Sequence, residues 1–453
     1  MNQEARTVSF RYPCRSTRLR DFFLNPFFLQ RIIRRKYFWE NPSNSNDQRA
    51  GAARLAEVEL TNYSFANRMK TTPKSFIREI LKVTENPAII SFAGGLPNPS
   101  LFATRELARA AHDVIAGEGK ETLQYTTTEG FPPLRRFIAD RYRKRLGINV
   151  SPDEILITNG SQQCLDLIGK VFIDSGSRVA IERPGYLGAI QAFSLYEPAF
   201  VPVPLNEEGP DPLALEAAAR KDPPRLFYGV PNSQNPSGIT WSADRRSDIA
   251  AILREAGTVF VEDDAYGELR FDGAPLPPVF SLLQGQGVMT GSFSKIIAPG
   301  LRVGWIAAPA EIMEQLVTAK QASDLHSNHV AQRIIARYLA ENPLDDQIPR
   351  IVGMYRKQRD TMAACVEQFF PEEVSCTRPD GGMFLWAELP EECSSMELFA
   401  RALKEGVAIL PGKPFYTDGG GENTLRLNFS NQSEDRIREG MHRLSLVLKE
   451  YLR

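Results

Sequence analysis

Seven short apolar runs, separated by helical repeats, lie between about residues 110 and 340. Each has the length and composition of a buried strand. They are EILIT (154–158), RVAIE (178–182), AFVPVPL (199–205), RLFYGV (225–230), TVFVED (258–263), VMTGSFS (288–294) and RVGWIAA (302–308). Strands that alternate with helices predict an α/β fold whose sheet is mostly parallel and covered on both faces.

Several of the intervening segments have helical periodicity. Residues 162–173 place their apolar side chains on one face, and a second helix is predicted to begin after the N-cap Ser242 and to end at Gly257. A long helical pattern covers residues 310–342. The last two predicted strands are joined by too few residues for a helical crossover, so we expect them to be antiparallel. The prediction is a mixed seven-stranded sheet with one reversed strand.

The pattern divides the chain into four parts. Residues 110–340 are predicted to form the large domain, and residues 341–453 a smaller α+β domain. Residues 58–109 are predicted to be an N-terminal arm that also joins the small domain. Residues 1–57 are predicted to be a basic extension and linker outside the fold.

Composition is ordinary for a globular protein, with 42% hydrophobic and 24% charged residues among 453. We expect no membrane span, because no apolar run reaches roughly 18 residues. The net charge of −1 hides a basic segment, residues 1–36, with eight Arg and one Lys against Glu4 and Asp21. This segment is interpreted as an organellar presequence, as a basic arm for nucleic acid, or as an extension outside the folded unit. The expected location is cytoplasmic, or mitochondrial if the segment is a presequence.

The cysteine and histidine spacings do not predict a metal site. Five scattered cysteines without a C-x-x-C pair are typical of reduced thiols. His326 and His329 have helical spacing, but no acidic or cysteine partner accompanies them. We therefore expect no metal, and a helix near a subunit interface at these two residues.

Polar residues follow five of the predicted strands. They form the runs NGSQQ (159–163), RPGY (183–186), PNSQNPSG (231–238), DDAY (263–266) and SFSK (292–295). Ligands of open α/β sheets bind beyond the carboxyl ends of the strands, so these runs are predicted to share one site.

The chemistry of these runs is specific. The NGSQQ turn offers backbone N–H groups at the start of a helix, which favour a phosphate, and Arg302 matches phosphate oxygens. Lys295 supplies an amine close to that phosphate. Asp263 ends a buried strand and needs a cationic partner, such as a protonated ring nitrogen. A phosphate site, an amine that forms an imine, a carboxylate and a stacking aromatic describe pyridoxal 5′-phosphate (PLP).

These residues lie in motifs that resemble the fold type I, PLP-dependent aminotransferases of class I/II. The chain is most similar to the subgroup of 2-aminoadipate, kynurenine, branched-chain and aromatic aminotransferases. The resemblance covers roughly residues 63–450. Its motifs are ISFAGGLPNP, LQYTTTEGFPPLR, NGSQQ, NSQNPSG, EDDAY, GSFSKIIAPGLRVGW, GGMFLW and LRLNFS.

The resemblance implies three catalytic residues, Lys295, Asp263 and Tyr266. Lys295 joins the cofactor as an imine and, once displaced by an amino acid, moves a proton on the substrate. Asp263 holds the ring nitrogen, and Asn235 and Tyr266 hydrogen-bond the phenolic oxygen of the ring. Tyr186 stacks on the ring face.

The remaining implied roles concern phosphate and substrate. Tyr125 reaches the phosphate from the neighbouring subunit, which implies a homodimer with shared active sites. Arg426, assisted by Asn235, binds the substrate α-carboxylate, and Arg78 and Gly95 contact the substrate. The implied phosphate ligands within the chain are Ser161, Gln162, Ser292, Ser294 and Arg302.

The resemblance implies that the enzyme moves the amino group of an L-amino acid to a 2-oxo acid, such as 2-oxoglutarate, by a ping-pong mechanism. A competing interpretation takes SFSK as the S-x-x-K motif of serine acyl-enzymes, with Ser292 as nucleophile. The chain is also compatible with a PLP-fold transcriptional regulator, and with a lyase or decarboxylase that uses the same cofactor. Binding to nucleic acid is not expected, because residues 1–57 have no convincing DNA-binding pattern.

Overall fold

The computed structural model describes residues 63–72, 80 and 86–453. Two predictions lie outside these residues, namely the basic extension over residues 1–57 and the substrate contact of Arg78. The strands are β1 (Ile90–Ser91), β2 (Ile155–Thr158), β3 (Arg178–Arg183), β4 (Ala199–Asn206), β5 (Gly209–Pro210), β6 (Leu226–Gly229), β7 (Val259–Asp263), β8 (Gly287–Ser292), β9 (Gly304–Ala307), β10 (Ser375–Cys376), β11 (Phe384–Glu388), β12 (Val407–Ala408), β13 (Leu410–Pro411) and β14 (Thr424–Asn428). The helices are α1 (Arg68–Thr71), α2 (Thr104–Thr122), α3 (Pro132–Leu146), α4 (Ser161–Phe172), α5 (Leu187–Ser194), α6 (Pro212–Lys221), α7 (Ala243–Ala256), α8 (Ala310–Asp324), α9 (His329–Glu341), α10 (Leu344–Phe369), α11 (Ser395–Lys404) and α12 (Glu434–Tyr451).

The large sheet has the strand order β2-β9-β8-β7-β6-β3-β4-β5. Strands β8, β7, β6, β3 and β4 are parallel to one another in this part of the order, whereas β9 is antiparallel to both β8 and β2. The mixed α/β sheet and the predicted reversal at β9 are therefore confirmed, whereas the prediction of a single reversed strand is wrong because β5 is also antiparallel to its neighbour β4. The predicted number of seven strands is wrong, because the chain turns back after β4 and adds the two-residue strand β5 to its end.

The middle of the large sheet is buried on both faces. Every residue of β2, β6, β8 and β9 is buried, as expected for strands that are covered by helices on each side. Helix α7 begins as its sequence predicts, because the Ser242 hydroxyl accepts the Arg245 N–H. It ends at Gly257, which has a φ of 66°.

The long helical pattern over residues 310–342 is interrupted. Helix α8 ends at Asp324 and α9 begins at His329, with Leu325 at a φ of +63° between them. The prediction of helical spacing between His326 and His329 is therefore wrong, because His326 lies in this connection. A left-handed leucine is costly in isolation, so surrounding contacts must stabilise the break.

Residues after α9 form two smaller sheets with one segment from early in the chain. One sheet is antiparallel, with the order β10-β11-β14-β13. In the other, β1 pairs in parallel with β12, which joins residues 90–91 to the C-terminal part of the chain. Arg426 lies at the centre of the antiparallel sheet, opposite Trp386 on β11 and Leu410 on β13. The predicted domain boundaries stay predictions.

No helix in the described part of the chain is long and apolar enough to cross a membrane. The four cysteines in that part are free thiols: Cys164, Cys365, Cys376 and Cys393.

Candidate active site

The carboxyl ends of five strands lie at one edge of the large sheet. Strands β3, β6, β7 and β8 are mutually parallel, and β2 has the same direction because β9 reverses between it and β8. The polar runs that follow these strands are thereby brought to the same edge. This is the arrangement that the sequence predicts.

Asp263 ends β7 and is buried. Its Oδ2 accepts a hydrogen bond of 2.7 Å from the Tyr228 hydroxyl on β6. Its Oδ1 is buried and has no hydrogen-bond partner among the residues that the structure describes. Burial raises the pKa of the carboxyl to about 6, the Tyr228 hydrogen bond opposes this shift, and the charge of Asp264 adds to it. The orphaned oxygen is poised to accept a hydrogen bond from a cationic donor.

Lys295 lies in the turn that follows β8 and is partly buried. Its Nζ donates a hydrogen bond of 2.8 Å to the carbonyl of Gly95. Burial lowers the pKa of the amine to about 8, and the positive charges of Arg426 and Arg302 lower it further. A larger fraction of the amine is consequently neutral near physiological pH than for an ordinary lysine, and the neutral amine is nucleophilic and able to take up a proton.

The acyl-enzyme interpretation of SFSK is wrong. Ser292 is the last residue of β8, and Lys295 follows it in a turn rather than one turn along a helix. The Ser292 hydroxyl donates to the hydroxyl of Ser294 at 2.9 Å, and in turn accepts the Ser294 N–H at 3.1 Å. The two serines thus form a small polar cluster beside the amine.

Arg426 brings a buried guanidinium to the same edge, with only 1% of the residue exposed. Its Nη1 donates to the Asn235 side-chain oxygen and its Nη2 to the Ala93 carbonyl, both at 2.7 Å. The group also lies over the ring of Phe384, 4.1 Å from its centroid. Burial lowers the pKa of Arg426 to about 10, so the group still carries its charge at neutral pH.

A second orphaned atom belongs to Arg426. Its Nε is buried and has no partner in the described part of the chain. The segment that contains Gly95 passes close to this group, since a Cβ on Gly95 would lie 3.9 Å from Nη2 and 3.1 Å from the Phe384 ring. One N–H donor of the Arg426 guanidinium therefore lacks an acceptor among the described residues, at a point where the Gly95 segment and the Phe384 ring lie close to the group.

The NGSQQ turn approaches Arg302 closely. Gly160 has φ 76° and ψ 167°, a conformation that is essentially restricted to glycine. A Cβ at this position would lie 2.5 Å from Nη2 of Arg302, which donates to the Asn159 carbonyl at 3.4 Å. Helix α4 begins at Ser161, so the first N–H groups of this helix, including those of Ser161 and Gln162, have no partner within it. Together they form a positively polarised concavity.

Two tyrosines lie near these groups. Tyr186 immediately precedes α5, and its ring lies against Gly188, where a Cβ would come within 2.6 Å of it. The Gly188 carbonyl accepts the side-chain amide of Gln162 at 2.9 Å. Tyr266 is buried and packs edge-to-face on Phe384. Burial raises the pKa of Tyr186 to about 12 and also raises that of Tyr266, so both phenols are neutral.

One predicted site residue, Tyr125, lies apart from this cluster within its own chain. Tyr125 is 80% exposed, and its ring packs edge-to-face on His326 with centroids 5.8 Å apart. Leu123 and Leu325 are also exposed, at 70% and 58%.

Among the described residues, no group of three or more potential metal ligands is present.

Three residues of the site are missed by reasoning from the sequence. Tyr228 lies inside an apolar strand run, where its hydroxyl is the one feature that signals a polar neighbour. Ala93 contributes only its carbonyl oxygen, for which no side-chain signal exists. Phe384 lies in the GGMFLW motif, but its contact with Arg426 depends on the pairing of β11 with β14.

A family model described as aminotransferase class I and II matches residues 94–444. The chain belongs to the class I and II aminotransferases. The 2-aminoadipate transaminase of Thermus thermophilus is 46% identical to this aminotransferase over 382 residues, which cover 83% of this chain and 94% of that protein. Aromatic-amino-acid aminotransferase 1 of Thermococcus litoralis is 40% identical over 395 residues, covering 86% and 95% respectively.

A solved structure gives the same fold. The α-aminoadipate aminotransferase from Thermus thermophilus, complexed with N-(5′-phosphopyridoxyl)-L-leucine, has a TM-score of 0.81 and 44% identity to this aminotransferase. The match covers 86% of this chain and 98% of that chain. The fold is that of the fold type I PLP enzymes, and this aminotransferase is a PLP-dependent transaminase.

The residues present suit PLP. The orphaned Oδ1 of Asp263 is a site for a protonated ring nitrogen, and Gly160, where a Cβ would clash with Arg302, lets that guanidinium approach the start of α4, where it could meet a phosphate. Lys295 supplies the amine with a lowered pKa. The donor set therefore matches each polar part of the cofactor.

Proposed function

We propose that this aminotransferase moves the amino group of an L-amino acid of the 2-aminoadipate, aromatic, branched-chain or kynurenine type to a 2-oxo acid such as 2-oxoglutarate. The transfer occurs in two half-reactions with ping-pong kinetics. The identity to enzymes named for 2-aminoadipate and aromatic substrates supports this choice of donors. The observation that carries the proposal is the buried Asp263 carboxylate with one unpaired oxygen at the same sheet edge as the Lys295 amine.

Lys295 is proposed to act as base and acid. When bound, PLP acts as an electron sink for the bonds at the substrate Cα. The Lys295 amine would take the proton from the substrate Cα and deliver it to the former aldehyde carbon of the cofactor within the same half-reaction, and the second half-reaction would run this transfer in reverse. Its lowered pKa of about 8 suits this exchange, because a group of intermediate basicity both accepts and releases protons readily near neutral pH.

Asp263 is proposed to hold the ring nitrogen in its protonated form. Its Oδ1 accepts the N–H while Tyr228 holds Oδ2, so the carboxylate is fixed in orientation. Asn235 and Tyr266 are proposed to bind the phenolic oxygen of the ring, and Tyr186 to stack on its face. Because both phenols are neutral, Tyr266 would donate its hydrogen bond and Tyr186 would stack without adding charge to the site.

The phosphate is proposed to bind at the start of α4. Arg302 supplies positive charge, and the N-terminal N–H groups of the helix supply donors. The residues proposed to hold the phosphate are Ser161, Gln162, Ser292, Ser294 and Arg302. In the structure the Gln162 amide is held by Gly188, so its backbone N–H is the better placed of its two donors.

Arg426 is proposed to bind the substrate α-carboxylate. Its orphaned Nε and its contact with Asn235 support this role, because an arginine presents several donors in the planar arrangement that matches a carboxylate. Gly95 is proposed to line the substrate path, and its carbonyl already holds the Lys295 amine. Arg78 keeps its predicted role as a substrate contact.

We propose a homodimer in which Tyr125 reaches the phosphate of the partner subunit. Its exposure, together with that of Leu123 and of Leu325, which precedes the His326 ring that Tyr125 packs on, supports an interface at this surface, because large exposed side chains that lie close together are typical of association. The proposed compartment is the cytoplasm, with mitochondria as the alternative. Free thiols at all four described cysteines are consistent with a reducing compartment.

A donor screen tests the proposed reaction. The purified holoenzyme is mixed with one amino acid at a time, without acceptor, and its absorbance is followed. A true donor converts the cofactor from its aldehyde form to its amine form in a single turnover, and 2-oxoglutarate reverses the change. Lys295→Ala removes the proton-transfer group and is the control that abolishes turnover. Borohydride reduction followed by peptide mapping must label Lys295.

The outcome that contradicts the proposal is equally direct. If no donor in a panel of aminoadipate, aromatic, branched-chain and kynurenine substrates produces the spectral change, the proposed donors are wrong. If borohydride labels a residue other than Lys295, the assignment of the amine is wrong.

A further inference from the structure

A partly buried carboxylate lies directly behind the NGSQQ turn. Asp324, the last residue of α8, has an oxygen that accepts from the Asn159 side-chain amide and from the Gln163 side-chain amide, each at 2.7 Å. Lys320, one turn earlier, donates to both oxygens of Asp324, at 2.8 and 3.0 Å. Three side chains from two helices and a loop therefore meet at one carboxylate.

Both members of the ion pair are in unusual positions. An acidic residue in the last turn of a helix faces the negative end of the helix dipole, which disfavours it. Lys320 has no exposed surface and also donates to Oε1 of Gln163 at 3.1 Å. Burial lowers the pKa of Lys320, and the hydrogen bond and charge of Asp324 are the main effects that oppose this shift. Such a pair costs desolvation free energy, so a specific role is expected to compensate for it.

The cluster controls the backbone of the turn. Gln163 Oε1 accepts the Asn159 N–H at 2.7 Å, while the Asn159 carbonyl accepts from Arg302. The side-chain oxygen of Asn159 accepts the Asn328 N–H at 3.3 Å. Every polar group of Asn159 is therefore occupied, and Gly160 and Ser161 follow it immediately in the sequence. The direction of the first N–H groups of α4 depends on this fixed starting point.

We propose that Asp324, paired with Lys320, is a positioning residue for phosphate binding. It holds Asn159 and Gln163 so that the start of α4 presents its N–H groups to the cofactor phosphate. Lys320 neutralises the carboxylate, which would otherwise repel a doubly charged phosphate at short range. The inference rests on the proposed phosphate site and adds residues that lie beyond direct contact with the ligand.

The chain contains a matched pair that lacks this connection. Asp166 and Lys170 on α4 are also four residues apart, with Nζ 2.5 Å from Oδ2. Within the described part of the chain, Asp166 accepts from the hydroxyl of Tyr196 and from no residue of the NGSQQ turn. If Asp324 were only a helix-stabilising partner of a lysine, loss of either aspartate would have the same effect on the cofactor.

The test compares two ligands that differ only in the phosphate. Full-length apoenzyme of the wild type, Asp324→Asn and Asp166→Asn is titrated with PLP and with pyridoxal, which lacks the phosphate. We expect Asp324→Asn to weaken PLP binding by about tenfold or more, the effect of losing one or two charge-assisted hydrogen bonds. Pyridoxal binding should change by less than about twofold by the same reasoning. Asp166→Asn should leave the ratio of the two affinities at the wild-type value.

Asn159→Ala is the second variant, in case Asp324→Asn does not fold. It leaves the ion pair intact and removes the link to the turn, so its PLP affinity should fall while its pyridoxal affinity is kept. The inference is overturned if the folded variants keep the wild-type ratio of PLP affinity to pyridoxal affinity. An equal loss of affinity for both ligands keeps that ratio and also overturns it. If the wild type itself does not prefer PLP to pyridoxal, the proposed phosphate site fails instead, so the two failures are distinguishable.

Discussion

The hydroxyl of Tyr228 lies 2.7 Å from Oδ2 of Asp263, and this contact leaves Oδ1 as the unpaired oxygen of a buried carboxylate. The two residues are on neighbouring strands, β6 and β7, whose register pairs Tyr228 with Val261, two residues before Asp263. The tyrosine thereby leaves Oδ1 as the oxygen that would accept the ring N–H in the proposed site. It also opposes the effect of burial on the carboxyl pKa.

Asp263→Asn is expected to lower kcat by roughly 10²-fold or more, because breaking one buried ion pair costs about 3–5 kcal/mol. Tyr228→Phe should cost about tenfold, the contribution of one hydrogen bond to a charged group. Steady-state kinetics with a saturating donor measures both changes. Tyr196→Phe is the matched control, since Tyr196 also donates to an aspartate, Asp166, at 2.7 Å but away from the site. An equal loss in Tyr196→Phe would contradict the specific role of Tyr228.

Arg426→Lys is expected to raise the KM of the donor and to lower kcat/KM by about 10²-fold, because lysine cannot provide the paired donors for a carboxylate. The cofactor should remain bound with its absorbance unchanged. Arg359→Lys is a suitable control, because Arg359 is also a buried arginine over a phenylalanine ring, 5.0 Å from the centroid of Phe271. Loss of the cofactor from Arg426→Lys, rather than loss of donor affinity, would show that the assignment to the substrate carboxylate is wrong.

Lys295→Met is expected to stabilise the apoenzyme. The pKa of this amine is about 8 in the folded state and 10.5 as the reference value. Between these values the unfolded chain binds more protons, so the Lys295 contribution makes the unfolding free energy rise with pH across this window. Below pH 8 the buried charge destabilises the folded state by about 3 kcal/mol, which methionine removes.

Urea unfolding of the full-length apoenzyme between pH 7 and 10 measures this effect. The excess stability of Lys295→Met over the wild type should be largest at pH 7 and should shrink toward pH 10. The control is Lys404→Met, which changes an exposed lysine and should give a difference close to zero at each pH. A stability difference that does not depend on pH would exclude the titration of Lys295 as its cause.

Leu325→Glu is expected to weaken the proposed homodimer, because it introduces a charge into the exposed patch formed with Leu123 and Tyr125. Light scattering after size exclusion should show a shift from dimer to monomer at micromolar concentration, with a parallel loss of activity. Leu213→Glu, at a leucine that is exposed on α6, should leave the mass unchanged. A wild-type enzyme that is monomeric and active would contradict the shared site.

The ends of the strands and the polar residues that follow them can be predicted from the sequence, because both depend on local patterns. The buried runs before Asp263 and Lys295 predict strands, and parallel direction then brings their ends to one edge. The contributions of Tyr228 and Ala93 cannot be predicted from local patterns. The role of Tyr228 depends on the register of two strands, and that of Ala93 on a carbonyl that every residue possesses.

The break between α8 and α9 illustrates a second limit. Residues 310–342 have continuous helical periodicity, and no glycine or proline marks the position of the break. The turn depends instead on long-range contacts, such as the amides of Asn159 and Gln163 at Asp324. These contacts join residues more than 160 positions apart. Local propensity carries no information about partners at that separation.

The reversal of β9 affects how the enzyme tolerates insertions and deletions. Because this strand begins where β8 ends, the amine at 295 and the guanidinium at 302 are carried on a single short connection within one hairpin. The number of residues in this connection therefore sets the distance between the two groups, and the packing of distant elements does not. Insertion or deletion of one residue between them is expected to disturb catalysis and cofactor retention together, whereas a comparable length change at the opposite edge of the sheet, away from the carboxyl ends of the strands, is expected to leave both groups in place.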